Sequence, residues 1–314
     1  MDAMNAMYPD VPLRAIAKTP GITIVKNARA AAFGHDIFRV IETAPVRNVS
    51  YDDERPFLRF NIAIGVQGDR PRRLIGFAHP DLVRILCYPK LALFIDGTFK
   101  GVPNGFSQYV IVMAYDPPSD LYVPIFFVLA GSKDQTTYWR ILNAIIINTK
   151  LRLGPGSVTW DFEQALIRAV LDQFPTVDIV GCLFHWKQAL RRKMIDIGLT
   201  VEDVKTAMIP GQMDVLTLVP EDEILDKGIR FVRYRIDETW SKRKWDQFWT
   251  YFQRTWITRF DPSLWNIGPM LAHSIPIIKR TNNPLERYNR DRVLLQHAAA
   301  RVSCHGTPLC RFGP

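Results

Sequence analysis

Hydrophobic and polar positions change their spacing several times along the chain, and each change predicts an element. Residues 91–99 form a mostly apolar run that predicts a strand, and Pro103-Asn104-Gly105 supplies a turn after it. Residues 108–115 and 121–130 predict two further strands, with Asp116-Pro117-Pro118-Ser119 between them. Two short connections make these three strands antiparallel neighbours. Residues 136–150 switch to helical spacing through Tyr138, Trp139, Ile141, Leu142, Ile145 and Ile146, and the run stops at Gly154-Pro155-Gly156. Residues 157–160 predict a short strand, 164–174 an amphipathic helix, 177–183 a buried strand and 187–197 a basic helix. This order predicts a mixed sheet whose fourth strand enters by a crossover and lies parallel to an earlier one.

The flanks carry weaker patterns. Residues 1–75 hold short strand signals at 21–25 and 57–64 between charged, proline-bearing segments. Over residues 198–276 strand signals thin out. Trp240, Trp245, Phe248, Trp249, Phe252 and Trp256 recur mostly at three- and four-residue steps, which predicts a helical segment packed through its aromatic face. Pro262 and Pro269 interrupt it, and a last helix is expected from Asn283-Pro284 onward. The organisation expected is an N-terminal region over 1–75, a core over 76–197, a helical insertion over 198–276, a further helix over 277–302 and a loose tail over 303–314.

Composition narrows the class. The chain has 314 residues, 47% of them hydrophobic, enough for a sizeable core. Forty basic against 31 acidic residues leave a net charge of +9, which favours a polyanionic partner. Cys87, Cys182, Cys304 and Cys310 are too scattered for a disulfide framework, so a reducing compartment is expected. No apolar stretch approaches the roughly 18 residues that span a bilayer, and the opening MDAMNAMYPD has no basic n-region of a signal peptide.

Three acids stand at element boundaries: Asp96 in FIDGTF, Asp161 in VTWDFEQA and Glu286 in TNNPLERYN. Each has a structural alternative. Asp96-Gly97 suits a hairpin turn, Asp161 suits a helix N-cap with Gln164 three residues on, and Asn283-Pro284-Leu285-Glu286 suits a capping box. Taken together they suggest more. An acid inside an apolar strand is costly unless paired or bound to a cation, and a crossover that sets the fourth strand beside the first brings Asp161 close to Asp96. A third acid on a late helix completes an oxygen-ligand site for Mg²⁺ or Mn²⁺, and two such ions about 4 Å apart would clamp an in-line phosphoryl displacement.

These segments, in this order, resemble Mutator-like element transposases, DDE enzymes with a ribonuclease H-like catalytic fold. The matching text is LALFIDGTFKGVP, QYVIVMAYDPPSDLYVPIFFVLAGSKDQTTYW, VTWDFEQALIRAVLDQFP, IVGCLFHWKQALRRKM, WDQFWTYFQRTW and RTNNPLERYNR, covering residues 75 to 290 or so. The resemblance implies an α/β, ribonuclease H-like mixed sheet with a helical insertion before the last catalytic acid. It implies Asp96, Asp161 and Glu286 as the catalytic and metal-binding acids, Mg²⁺ or Mn²⁺ as cofactor, DNA as partner with self-association on it, no membrane or small-molecule substrate, a nuclear location, and cleavage followed by strand transfer. The alternative is a domesticated, non-catalytic DNA-binding or regulatory protein that keeps the fold.

Secondary features follow. Cys182-x-x-His185 is half of a zinc site by spacing, and a C-x-x-H motif after the second acid recurs in the family; a structural or positioning role is the expectation. Basic runs occur at Arg70-Pro71-Arg72-Arg73, Arg191-Arg192-Lys193 and Lys242-Arg243-Lys244, each read by default as a solvated face. Lys187, Arg191, Arg192 and Lys193 are the candidate phosphate contacts. Two departures stand against the family pattern. Residues 1–75 hold no cysteine for a zinc module, and the text after Asn289 reads as a shifted frame or decayed end, so a remnant copy with weak strand transfer is expected.

Overall fold

The computed structural model describes residues 47–268, apart from 51, 68–69, 100–101, 104 and 238–240; beyond that range it describes only residues 27 and 31. Glu286, the expected helix over 277–302, Cys304 and Cys310 lie outside the described residues. The chain divides into two compact units, 1–57 with 289–314, and Leu58–Tyr288. In the first, Asn48 bridges Pro56 in antiparallel sense and Arg55 pairs with Asp53 at 2.7 Å.

The second unit is built on a seven-stranded mixed sheet. Its strands are β1 (Leu58–Gln67), β2 (Arg70–Phe77), β3 (Leu91–Thr98), β4 (Gln108–Asp116), β5 (Leu121–Ala130), β6 (Pro155–Trp160) and β7 (Asp178–Gly181), in spatial order β1-β2-β5-β4-β3-β6-β7. All pairs from β1 to β3 are antiparallel, whereas β3–β6 and β6–β7 are parallel. The crossovers run through helices α1 (Gln135–Asn148) and α2 (Gln164–Gln173), and α3 (Leu183–Ile197) follows β7. The expected α/β fold with a mixed sheet is therefore present. One difference lies at its edge: the run Arg70–Arg73, read as a solvated face, belongs to β2, where Leu74–Phe77 pairs with β5.

Alternation along β3 separates two cores. Leu91, Leu93 and Ile95 join Val110, Val112 and Ala114 of β4 and the buried face of α1 (Tyr138, Ile141, Leu142, Ile145) in the main core. Ala92 and Phe94 pack with Ile111 and Met113 on the opposite face, flanked by Tyr109, Tyr115 and Tyr122. Period-two geometry assigns successive residues to opposite faces, so Asp96 shares the face of Ala92 and Phe94.

Residues 198–268 are helical, as the aromatic spacing predicts. Helices α4 (Val201–Met208), α5 (Ile229–Ile236) and α6 (Lys242–Phe252) are joined by short 3₁₀ and π-helical turns. Thr200 and Asp203 close a reciprocal capping box at the start of α4. Trp245, Phe248, Trp249, Phe252 and Trp256 are all buried and continue the main core. The described tryptophans of this segment, Trp245, Trp249, Trp256 and Trp265, are all core residues. Among the described residues, no helix is long and apolar enough to cross a membrane.

Candidate active site

Asp96 is buried within β3 and is paired with Ile111 of β4, while the following Gly97 pairs with Val110. The hairpin-turn alternative is thereby excluded; the chain turns later, where Phe106 N donates to the Pro103 carbonyl at 3.2 Å. Phe94 is the register partner of Thr159 on β6, and Thr159 of Val180 on β7. Asp96 on β3, Asp161 just after β6 and Cys182 just after β7 each lie two residues beyond that rung along the sequence. Adjacent strands lie about 4.8 Å apart, so β3 and β6 run side by side up to Phe94 and Thr159, just short of the two acids.

Asp161 directly follows β6, and its Oδ1 accepts from Glu163 N at 3.2 Å. It is not a helix N-cap. That position belongs to Glu163, whose side chain leaves the cap unmade. Between them Phe162 adopts φ +70°, a left-handed conformation that is a genuine outlier for a bulky residue. Its ring holds it there, packed against Trp160 (5.1 Å between centroids), Trp256 (4.9 Å) and Phe260 (5.7 Å). Gly181 makes room for that ring: a Cβ there would fall 2.5 Å from Phe162 Cζ and 2.7 Å from the Leu264 carbonyl oxygen. Strain of this kind persists only where the surroundings over-determine it, and it clusters at functional sites.

On the helix side of the same strand ends lies a polar cluster that sequence reasoning missed. The Tyr138 hydroxyl is 2.9 Å from Gln108 Oε1 and 2.7 Å from Glu163 Oε2, and Gln108 Nε2 donates to the Ser132 carbonyl at 2.8 Å. Gly97 admits this cluster, since a Cβ there would come within 2.9 Å of Gln108 Oε1. A phenol has one proton to give. Tyr138 is the donor toward both acceptors and serves one of them at a time. Burial raises the Glu163 carboxyl above its ordinary value; the Tyr138 hydrogen bond opposes this and the nearby Asp161 charge adds to it. Burial also raises the Tyr138 phenol, with the charge of Glu163 next in weight. The available signal was an amide opening an otherwise apolar strand and a tyrosine on a buried helix face, each of which needs a polar partner.

Asp96 and Asp161 offer hard carboxylate oxygens, a donor type that fits Mg²⁺, an ion commonly held by one or two carboxylates together with waters and substrate phosphates. Among the described residues, no group of three or more His, Cys, Asp or Glu converges as a metal site. Cys182 is buried at the N-cap of α3: its N donates to the Trp160 carbonyl at 3.0 Å, and its carbonyl accepts from Trp186 N at 2.9 Å. His185, in the first turn, stacks edge-to-face on Phe184.

The basic candidates on α3 divide in two. Lys187 Nζ donates to the Met208 carbonyl at 3.1 Å and lies 3.7 Å from Asp214, and Lys193 pairs with Asp196 at 2.7 Å. Arg191 and Arg192 are exposed, about 12 Å along the helix from Leu183.

The fold defines an α/β protein with a seven-stranded mixed sheet, Asp96 lying within β3 and Asp161 directly after the adjacent parallel strand β6. Compared with known proteins, the chain matches no family model and has no significant match among curated proteins.

Proposed function

We propose that this chain is a DDE transposase catalytic region that cleaves DNA and joins the freed 3′-hydroxyl to target DNA. The observation that carries the reading is the parallel pairing of β3 with β6, with Asp96 and Asp161 each two residues beyond its last rung, Phe94 with Thr159. The strand senses support it: three consecutive antiparallel strands, β3 to β5, are followed by β6 and β7, which enter parallel beside β3, the arrangement a ribonuclease H-like domain requires. The order of motifs and the +9 charge point to DNA as the polyanion. When bound, Mg²⁺ would supply charge stabilisation for an in-line phosphoryl displacement. Asp96 and Asp161 would hold the ion, and Glu286 would be the third ligand and would favour the attacking water or hydroxyl. The Tyr138–Gln108–Glu163 cluster fixes the turn that carries Asp161.

The test is a plasmid assay in Mg²⁺ and in Mn²⁺ with the wild-type chain and the variants Asp96→Asn, Asp161→Asn and Glu286→Gln. Metal-dependent nicking abolished by each substitution is expected, with strand transfer weaker than nicking. Nicking that survives Asp96→Asn and Asp161→Asn together would sink the assignment. Salt-sensitive DNA binding with no metal-dependent cleavage would instead identify a non-catalytic DNA-binding protein on the same fold.

A further inference from the structure

Helix α5 and the turn before it bury Ile224, Gly228, Ile229, Val232 and Ile236, which anchors one face in the core. The opposite face is unusual. Tyr234 is 91% exposed and Phe231 47%. Residues 226–237 contain four cations, Lys227, Arg230, Arg233 and Arg235, and two acids, Asp226 and Asp237, at the ends of the run. Two of the four are committed to carboxylates, Lys227 to Glu223 and Arg233 to Asp237 and Asp246. Arg235 holds only the Gln212 amide oxygen at 2.9 Å, its guanidinium 5.3 Å from the Phe231 ring centre. Arg230 is exposed and lines, with Leu225, Asp226, Ile229, Arg233 and Tyr234, an open cleft of about 470 Å³.

From this face we infer a binding surface for single-stranded DNA, with a base stacked on Tyr234 and the flanking phosphates on Arg230 and Arg235. Arg230 and Tyr234 are four residues apart, as are Phe231 and Arg235, so helical geometry sets a cation beside each ring. The pattern matches the way non-specific single-strand binders work, with aromatic platforms for bases and cations for the backbone. An unpaired strand is the occupant that fits, because the face of a base is open to stacking only outside a duplex. The inference rests on the DNA reading above and deepens it: this surface would hold an unpaired strand at the reacting DNA.

The experiment measures binding of a fluorescent 20-mer of thymidylate and of a mixed-sequence duplex of the same length to the full chain, by anisotropy at two salt concentrations. Tyr234→Ala should weaken binding of the single strand about fivefold to a hundredfold, as the loss of one base stack does, and leave the duplex within about twofold by the same logic. Tyr234→Phe should restore single-strand binding. Arg230→Ala with Arg235→Ala should lower the single-strand salt slope by about 1.4, two phosphate contacts at about 0.7 each. All these side chains are exposed, and circular dichroism checks that each variant stays folded. Binding by the wild type that Tyr234→Ala leaves unchanged, or weakens equally for single strand and duplex, overturns this surface while the DNA reading stands. A wild-type chain that binds neither oligonucleotide overturns both.

Discussion

Phe162 holds its left-handed backbone because its ring is wedged among Trp160, Trp256 and Phe260, and this makes a sharp prediction about two truncations. Both Phe162→Ala and Phe162→Gly remove the ring. A fully buried Phe→Ala costs about 3–5 kcal/mol, and since Phe162 is only partly buried, a loss of about 2–3 kcal/mol is expected for the ring. The variants then differ in the backbone alone. Alanine at positive φ carries a penalty of about 1–2 kcal/mol, which glycine avoids, whereas glycine adds about 0.4–1 kcal/mol of unfolded-chain entropy. The balance leaves Phe162→Gly more stable than Phe162→Ala by about 0.5–1 kcal/mol. That reverses the usual order at regular positions, where glycine is the worse residue by about the same amount. For a domain of this size the difference is a Tm about 1–4 °C higher for the glycine variant. Thermal and urea denaturation of both purified variants measure it. A glycine variant less stable than the alanine variant would refute the strain argument, and with it the claim that packing imposes the Asp161 turn.

Three further outcomes follow from the same geometry. Gly181→Ala should cost about 1–3 kcal/mol by overpacking, because one of its clashes is with the Leu264 backbone carbonyl; an unchanged urea midpoint would contradict it. Glu163 has a folded pKa raised above its ordinary 4.5, chiefly by burial, so its contribution to stability is present below that value and lost as pH rises through the folded one. Glu163→Gln should flatten that decline, and urea titrations between pH 4 and 8 on both proteins would expose a parallel decline if the reasoning fails. Asp134 caps α1 and accepts from Thr137 N at 2.8 Å, Ser132 Oγ at 2.6 Å and Arg72 Nη2 at 2.9 Å. Partial burial opposes its ionisation, but these bonds outweigh it and hold its carboxyl below the ordinary 3.8, so its stabilisation is present above that value and lost as pH falls through the folded one. Asp134→Ala should cost about 1–2 kcal/mol near neutrality, and Asp134→Asn, which still caps, clearly less; equal losses in thermal denaturation would point away from capping.

What the sequence made legible follows from how local each signal is. Strands β3, β4 and β5 and helix α1 were readable because apolar runs met Gly/Pro punctuation at both ends. Strand β2 was not, since Arg70-Pro71-Arg72-Arg73 shows no alternation and its pairing with β5 joins residues far apart in sequence. The junction after β7 was misplaced for a related reason: Gly181-Cys182-Leu183-Phe184 reads as one apolar run, yet Trp186 N already donates to the Cys182 carbonyl and begins α3 there. Asp96 and Asp161 stood out as acids ending apolar strands. The cluster behind them did not, because Gln108, Tyr138 and Glu163 come from β4, α1 and the N-cap of α2, and each alone looks like an ordinary residue of its element.

The aromatic segment after residue 198 has a bearing on the site that its sequence pattern alone does not suggest. Its tryptophans are core residues, but two of its rings, Trp256 and Phe260, close on Phe162 and stack on each other at 5.3 Å. Trp265 continues the contact, stacking on Trp186 of α3 and donating Nε1–H to the Trp256 carbonyl at 2.8 Å. Phe162 is the residue between Asp161 and Glu163, and on the other side Tyr138 holds Glu163. The turn bearing Asp161 is thus gripped from two directions, by an apolar wedge and by a hydrogen-bonded relay. Both act on the backbone that aims the Asp161 carboxylate, and Glu163 N also donates to Asp161 Oδ1 at 3.2 Å. Close-packed interiors transmit strain because they have few voids to absorb it, so substitutions deep in the insertion, such as at Trp256, act on the position of Asp161 through Phe162 and not merely on the stability of the insertion.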